Sequence, residues 1–147
     1  MTTVGSADIV KALLSAGANT DVRDWDDLTP LLVSIFTGRD DITKLLISGG
    51  ANVNALSSQR YSALHHAAWE GKTEVVQQLL DNGACDDERT DDGNTPLALA
   101  AHGGFNDVLK LLIRRGCCVN NSDKSVVVYF CYCRLNWPFS KALHCPY

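Results

Sequence analysis

The sequence lacks the features that mark several classes of protein. No apolar run approaches the ~18 residues that a membrane-spanning helix needs. The longest, VVVYFCYC, has eight residues and ends at Arg134. The opening segment, MTTVGSADIVKALL, has neither the basic start nor the unbroken apolar core of a secretory signal. We therefore expect no membrane span, reduced thiols, and a cytoplasmic location, with the nucleus as the alternative.

Positive charge is also scarce. The chain has 13 Lys and Arg residues against 17 Asp and Glu residues, which gives a formal net charge of −4 over 147 residues. Proteins that bind nucleic acid carry a basic patch or stripe that neutralises phosphates, and none is present here. The balance of charge disfavours a nucleic-acid partner, and the length indicates a single domain.

Motifs for catalysis are missing as well. There is no glycine-rich phosphate loop and no activated-serine motif. His66 and Glu70 would share one face of a helix, but a zinc site needs at least one further ligand. A second group, Cys131, Cys133, His144 and Cys145, has a spacing that matches no common structural zinc site. We expect no enzyme, no metal site, no small-molecule substrate and no cofactor, with these thiols free in the C-terminal tail.

What the chain does contain is a repeat of 33 residues. Three segments in the same register begin at Asp27, Arg60 and Gly93. The columns that recur unchanged are Leu31, Leu64 and Leu97; Gly38, Gly71 and Gly104; Leu46, Leu79 and Leu112; and Gly50, Gly83 and Gly116. An acid recurs at positions 41, 74 and 107. A fixed period of this length is typical of repeat architectures.

Each unit of the repeat predicts two short helices. The first helix begins after a hydroxyl residue that can cap it, at Thr29, Ser62 or Thr95, and ends at the first shared glycine. Pro30 and Pro96 occupy the first helical position, where a missing N–H does no harm. The second helix is predicted to be capped by Asp40, Thr73 or Asn106, with the recurring acid in its first turn.

These segments resemble ankyrin repeats. The resemblance is carried by TPLLVSIFTG, SALHHAAWEG and TPLALAAHGG, each followed by an acid-led helix and then GGANVN, NGACDD or RGCCVN. It implies an all-α solenoid of stacked helix–turn–helix units joined by short hairpin-like loops, covering about residues 5–122. The predicted ranges are a partial repeat in 1–23, full repeats in 24–56, 57–89 and 90–122, and a non-repeat tail in 123–147. One departure is that the family's glycine before each cap is kept only at Gly93; Asp27 and Arg60 replace it.

Both ends of the array are unusual. The partial first unit retains one helix, whose apolar residues Ile9, Val10, Leu13 and Leu14 are expected to lack a partner on the outer side. The C-terminal tail has no ankyrin feature. Two interpretations stay open: the tail covers the last repeat, or the chain is a segment of a longer array.

The resemblance also implies where a partner would bind. Ankyrin domains usually bind through their loop tips and the concave face of the first helices. Carried over position by position, that surface comprises Trp25, Asp26, Leu28 and Phe36 in the first unit; Tyr61, Trp69 and Glu70 in the second; and Asp91, Asp92, Asn94 and His102 in the third. Aromatic residues on solvent-facing positions favour an interface, although some could pack locally against neighbouring tips. The acids among them favour a protein partner with a basic and apolar surface.

The two adjacent histidines fall in columns that are otherwise apolar or small. His65 aligns with Leu32 and Ala98, and His66 aligns with Val33 and Leu99. We therefore interpret both as parts of the scaffold, and the resemblance implies that His65 bonds to the cap region and neighbouring turns.

The predicted function is a protein–protein interaction scaffold. One alternative is the regulatory or targeting section of a larger multidomain enzyme or channel. The other is a stand-alone inhibitor that occludes an enzyme's active site.

Overall fold

A computed structural model describes residues 3–116 of the chain, with side chains from residue 7 onward. This part of the chain contains seven helices and no strand. The helices are α1 (Thr3–Ser15), α2 (Pro30–Phe36), α3 (Asp40–Ser48), α4 (Ala63–Glu70), α5 (Thr73–Asp81), α6 (Pro96–Gly103) and α7 (Asn106–Arg114). The all-α prediction is confirmed. None of these helices is long and apolar enough to cross a bilayer.

The helices form two stacked layers. Each unit is a pair, α2 with α3, α4 with α5, and α6 with α7. The first helices of successive units pack against each other, α2 on α4 and α4 on α6. The second helices form the other layer, with α1, α3, α5 and α7 packed in chain order. Each unit contacts only its neighbours, which is the arrangement of a solenoid.

The repeated hydroxyl residues cap the first helices as predicted. The Thr29, Ser62 and Thr95 side chains accept bonds from backbone N–H groups three residues on. The prediction for the second helices is wrong. Asp40, Thr73 and Asn106 are the first residues inside those helices, and the cap residues before them make no side-chain cap bond. The recurring acids at 41, 74 and 107 lie in the first turn, where the helix dipole favours negative charge.

The tips that join the units are tight turns, and all three contain the same pair of backbone hydrogen bonds. In the second tip, the Ser57 N–H donates to the Tyr61 carbonyl at 2.9 Å and the Arg60 N–H donates to the Ser57 carbonyl at 2.9 Å. The first and third tips, residues 24–28 and 90–94, have the same pair of bonds. The fourth residue of each tip has a positive φ, which is +60° at Asp27, +61° at Arg60 and +82° at Gly93. Two residues with a Cβ therefore adopt the left-handed conformation for which glycine is suited.

The core follows the repeat. Each recurring leucine is at most 5% exposed, and alanines fill the narrow space between α4 and α6. Gln78 interrupts the apolar stripe of α5, at the position that Leu45 and Leu111 occupy in the other two units. Its Oε1 atom is buried without a hydrogen-bond partner among the described residues. The second unit therefore has a local defect in the α5 layer, since an unpaired buried acceptor is unfavourable.

An apolar face at the start of the array is uncovered in the described part of the chain. Ile9 and Leu13 on α1 are 62% and 53% exposed, as predicted. Val10 and Leu14 pack against the core instead. Beside them is an open groove of about 470 Å³, whose apolar lining includes Val33 of α2. The predictions for the tail at 123–147 lie outside the described residues.

Candidate functional site

One column of the repeat places a ring at the end of every first helix. Phe36, Trp69 and His102 are spaced by 33 residues and belong to successive units. Phe36 is 67% exposed and Trp69 is 49% exposed. The Trp69 ring stacks on the His102 ring, with centroids 5.6 Å apart and an angle of 12° between the planes. We call these three residues the aromatic ladder.

A cavity lies between the first and second units beside the ladder. Its volume is about 270 Å³, and its apolar lining comes from Leu28, Phe36 and Tyr61. Asp26 lines it from the first tip, and Ser57, Ser58 and Gln59 line it from the second. We call it the inter-tip cavity. It brings together four of the predicted binding residues, from the tips and from the first helix.

His66 lines the same cavity, which the scaffold interpretation did not predict. Its ring lies 5.3 Å from the Tyr61 ring and 6.3 Å from the Phe36 ring, between centroids. Burial lowers the pKa of His66 below 6.5, with a smaller opposing effect from the Glu70 carboxylate. At neutral pH the imidazole is therefore uncharged. The alignment of His66 with Val33 and Leu99 could not reveal this site. Aligned positions of a repeat show whether a residue is polar or apolar, but not which cavity its side chain lines.

The His65 ring also contacts the Tyr61 ring, 5.8 Å away between centroids, but His65 does not line the cavity and instead holds the scaffold together. It is fully buried. Its Nδ1 accepts the Ser62 N–H at 3.1 Å while the Ser62 Oγ accepts the His65 N–H at 3.4 Å, which is a reciprocal helix cap. Its Nε2 donates to the Glu88 carbonyl at 3.1 Å and to the Asn94 carbonyl at 3.2 Å. One side chain thus joins the cap of α4 to the loop that precedes α6.

These bonds require a neutral ring. Carbonyl oxygens only accept, so the proton must be on Nε2, and Nδ1 must keep its lone pair for Ser62. Burial lowers the pKa of His65 to about 4, and the bonds to the Asn94 and Glu88 carbonyls oppose this effect only in part. Protonation at Nδ1 would place a ring N–H against the Ser62 backbone N–H, so that this hydrogen bond would be lost. His65 is thus a structural residue with no role in proton transfer at neutral pH.

Glu70, which was predicted to contact a partner, forms an ion pair within the chain. Its carboxylate lies 3.4 Å from the Lys72 Nζ atom, and its side chain is only 29% exposed. The same ammonium group lies 2.9 Å from Asp40 and donates to the Ile35 carbonyl at 3.3 Å. Lys72 therefore ties the end of α4 to the first unit. Glu70 is already paired within the chain, so it is a weaker candidate for a contact with a partner.

The remaining predicted residues are at the tips and are dispersed. Trp25 is 103% exposed at the first tip. Asp91 and Asp92 are exposed at the third tip, and the Asp91 N–H donates to the Gln59 carbonyl at 3.3 Å. Asn94 is half-buried, and its backbone carbonyl serves His65. The acidic third tip therefore contacts the second tip, beside the inter-tip cavity.

The structure offers little for metal chemistry within residues 3–116. No group of three or more His, Cys, Asp or Glu side chains there could hold a metal ion. Among these residues, the pair of His66 and Glu70 therefore gains no further ligand. The group formed by Cys131, Cys133, His144 and Cys145 lies outside the described residues.

Comparison with known proteins agrees with the repeat. A family model described as ankyrin repeats (3 copies) matches residues 2–91 and again residues 39–123. A comparison with curated proteins finds no match. Ankyrin repeats are generally non-catalytic modules for protein–protein interaction. Since the matched residues make up most of the 147-residue chain, it belongs to the ankyrin-repeat family.

Proposed function

We propose that the chain is a scaffold that binds one protein partner across the aromatic ladder and the tips. The observation that carries this proposal is the exposure of large rings at the first tip and at the ends of α2 and α4. Trp25, Phe36 and Trp69 are each about half exposed or more. Burying such rings contributes strongly to association, because they are large and lose little conformational freedom.

The rigid stacking of the units supports this function. Each ring of the ladder is fixed at the end of a packed helix, and the tips are closed by two backbone bonds each. A preorganised surface loses little entropy when it binds. The mechanism is therefore recognition without chemistry, with the acids at the tips selecting partners that carry basic groups.

The test is a Trp69→Ala variant in affinity capture beside the wild-type chain, followed by affinity measurement with a protein that only the wild type retains. We expect binding to weaken by over ~1 kcal/mol, the effect of losing an interface hot spot. Gln77→Ala is the matched control, since Gln77 is exposed on α5, away from the ladder. Unchanged affinity in Trp69→Ala would refute the placement of the surface.

A second candidate is the regulatory section of a larger protein. It is supported by the apolar groove beside α1 and α2, which a further repeat unit would bury. The chain would then use the ladder in the same way, while the groove joins it to the rest of the assembly.

If the chain is instead a self-contained inhibitor, we expect the purified chain to stay monomeric and to unfold cooperatively. Sedimentation measures the first property and urea unfolding measures the second.

A further inference from the structure

The inter-tip cavity has the size of a binding site for one side chain. Its volume is about 270 Å³. Pockets for drug-sized molecules hold roughly 300–1,000 Å³, so the cavity falls below the range for a whole ligand. It lies at the meeting of the first tip, the second tip and α2, which are elements of the proposed binding surface. A partner that covers the ladder would therefore also cover the mouth of this cavity.

The lining of the cavity combines apolar rings with an acid. Leu28, Phe36 and Tyr61 provide apolar surface, and Phe36 remains 67% exposed. The Asp26 backbone N–H bonds to the Asp24 side chain at 3.0 Å. The Asp26 carboxylate itself accepts no hydrogen bond from the described residues. A ligand that offers both an apolar stem and a donor would satisfy both parts of the lining.

Acidic residues outnumber basic ones at the tips around the cavity, although the Arg23 guanidinium lies at the first tip and donates to the Asp27 and Leu56 carbonyls. Among the described residues, no Lys or Arg lines the cavity. The nearest basic residue in the second tip, Arg60, is turned to the Glu88 carboxylate and the Arg89 carbonyl. His66 is uncharged at neutral pH because its burial lowers its pKa. The acidic third tip bonds to Gln59 on the rim through the Asp91 N–H. A cation therefore meets no repulsion from the lining and is attracted by Asp26.

Among cationic side chains, arginine fits this lining best. Its planar guanidinium stacks on aromatic rings and donates several N–H groups to a carboxylate, while its stem packs on apolar surface. The ammonium group of lysine is compact and more strongly hydrated. Two rings, Tyr61 and His66, stand 5.3 Å apart along the cavity and are tilted by 37°. They offer faces and edges against which a planar group can pack.

We propose that the inter-tip cavity receives one arginine side chain of the protein partner. The stem of this side chain lies against Leu28 and Phe36, and its guanidinium packs on Tyr61 and pairs with the Asp26 carboxylate. This inference rests on the proposed function, because it assigns one subsite within the same binding surface. It adds the chemistry of the partner: a segment that presents an exposed arginine beside apolar residues.

The probe for this subsite is Nα-acetyl-arginine methylamide, titrated into the ¹⁵N-labelled full chain and followed by NMR. We expect saturable shifts that are largest for the amides of Phe36, Tyr61 and His66. The acetyl-lysine methylamide analogue is expected to bind at least roughly threefold more weakly, because it lacks the planar group. The uncharged norleucine analogue is expected to bind roughly tenfold more weakly, because it cannot pair with Asp26.

Two variants assign the shifts to the cavity. Asp26→Asn keeps the size of the side chain and is expected to weaken the arginine probe roughly tenfold. Asp87→Asn is the matched control, because it removes the same charge from an exposed position in the loop after α5, outside the lining, and is expected to leave the affinity within roughly twofold.

The outcomes separate the subsite from the larger proposal. Shifts that are absent at the cavity, equal for arginine and norleucine, equal for arginine and lysine, or unchanged by Asp26→Asn would each overturn the assignment of arginine. The effect of Trp69→Ala on partner affinity is measured independently, so the scaffold proposal can stand if the subsite fails. Conversely, arginine binding with no effect of Trp69→Ala would support the subsite and refute the ladder.

Discussion

His65 and His66 are neighbours in the sequence, but they face different surroundings on α4. His65 is fully buried, caps its own helix and bonds to two carbonyls of the next loop. His66 is half-buried and lines a cavity with Tyr61 and Phe36. A step of about 100° along a helix separates a residue that maintains the fold from one that faces the proposed binding surface. Within a single turn of α4, one residue therefore stabilises the fold and the next lines the cavity.

The largest effect is expected from removing the buried histidine. His65→Ala leaves the Glu88 and Asn94 carbonyls without their donor and removes half of the α4 cap. We expect a loss of about 3 kcal/mol in the free energy of unfolding, measured by urea denaturation. His66→Ala is the control and should lose no more than about 1 kcal/mol. Equal losses would show that the two histidines do not differ as described.

The same contrast predicts how stability depends on pH. The pKa of His65 is about 4 in the folded chain, against 6.5 in the unfolded chain. Its contribution is therefore fully present above pH 6.5, declines as pH falls, and is lost below pH 4. The total loss is about 3 kcal/mol, at 1.36 kcal/mol per unit of pKa difference. Urea midpoints measured between pH 7 and pH 4 test this, with His65→Gln as the variant expected to make the decline less steep. Burial also lowers the pKa of His66, so His66 contributes to the slope that remains. An equally steep decline in that variant would assign the dependence to other groups.

The glycines that end the first helices should also differ from one another. Gly71 and Gly38 have nearly equal φ values of +72° and +74°. A Cβ at Gly71 would lie 2.3 Å from the Phe105 ring, whereas at Gly38 the nearest atom is the Lys72 Nζ at 3.7 Å. We expect Gly71→Ala to lower the free energy of unfolding by about 2 kcal/mol more than Gly38→Ala does. Thermal unfolding of the two variants gives this difference directly, and equal values would contradict the close packing at Phe105.

The smallest effect is expected at the first tip. Asp27 has a φ of +60° where the third tip has Gly93 at +82°. Asp27→Gly should raise the free energy of unfolding by about 0.5–1 kcal/mol, since relief of left-handed strain exceeds the added freedom of the unfolded chain. Partner affinity should not change, because the acidic residue that lines the cavity is Asp26 and not Asp27. Lower stability in this variant would mean that the aspartate is not strained there.

Sequence reasoning predicted the scaffold well, for a physical reason. The helices, the caps at Thr29, Ser62 and Thr95, and the glycine turns depend on local conformational preferences that repeat every 33 residues. The caps of the second helices were wrong by one position, because the sequence does not reveal which residue first adopts helical dihedral angles. Asp40, Thr73 and Asn106 are good cap residues in composition but lie one step inside the helix.

The candidate site was less accessible from the sequence. The aligned positions of the repeat predicted that Phe36 and Trp69 face outward, and both side chains are exposed in the structure. The role of Lys72, which pairs with Glu70 and Asp40, depends on contacts between units that no column describes. The inter-tip cavity likewise arises where two tips and a helix meet. Only three-dimensional packing shows that His66 faces it.

We propose that partner binding and folding depend on different side chains of α4. The most direct test measures both quantities, the free energy of unfolding and the affinity for one captured partner, in Trp69→Ala and His65→Gln. We predict that Trp69→Ala weakens binding by at least roughly fivefold and changes stability by no more than about 1 kcal/mol. His65→Gln should lower stability while the folded variant binds as the wild type does. The opposite pattern, with affinity lost in His65→Gln and retained in Trp69→Ala, would contradict the account.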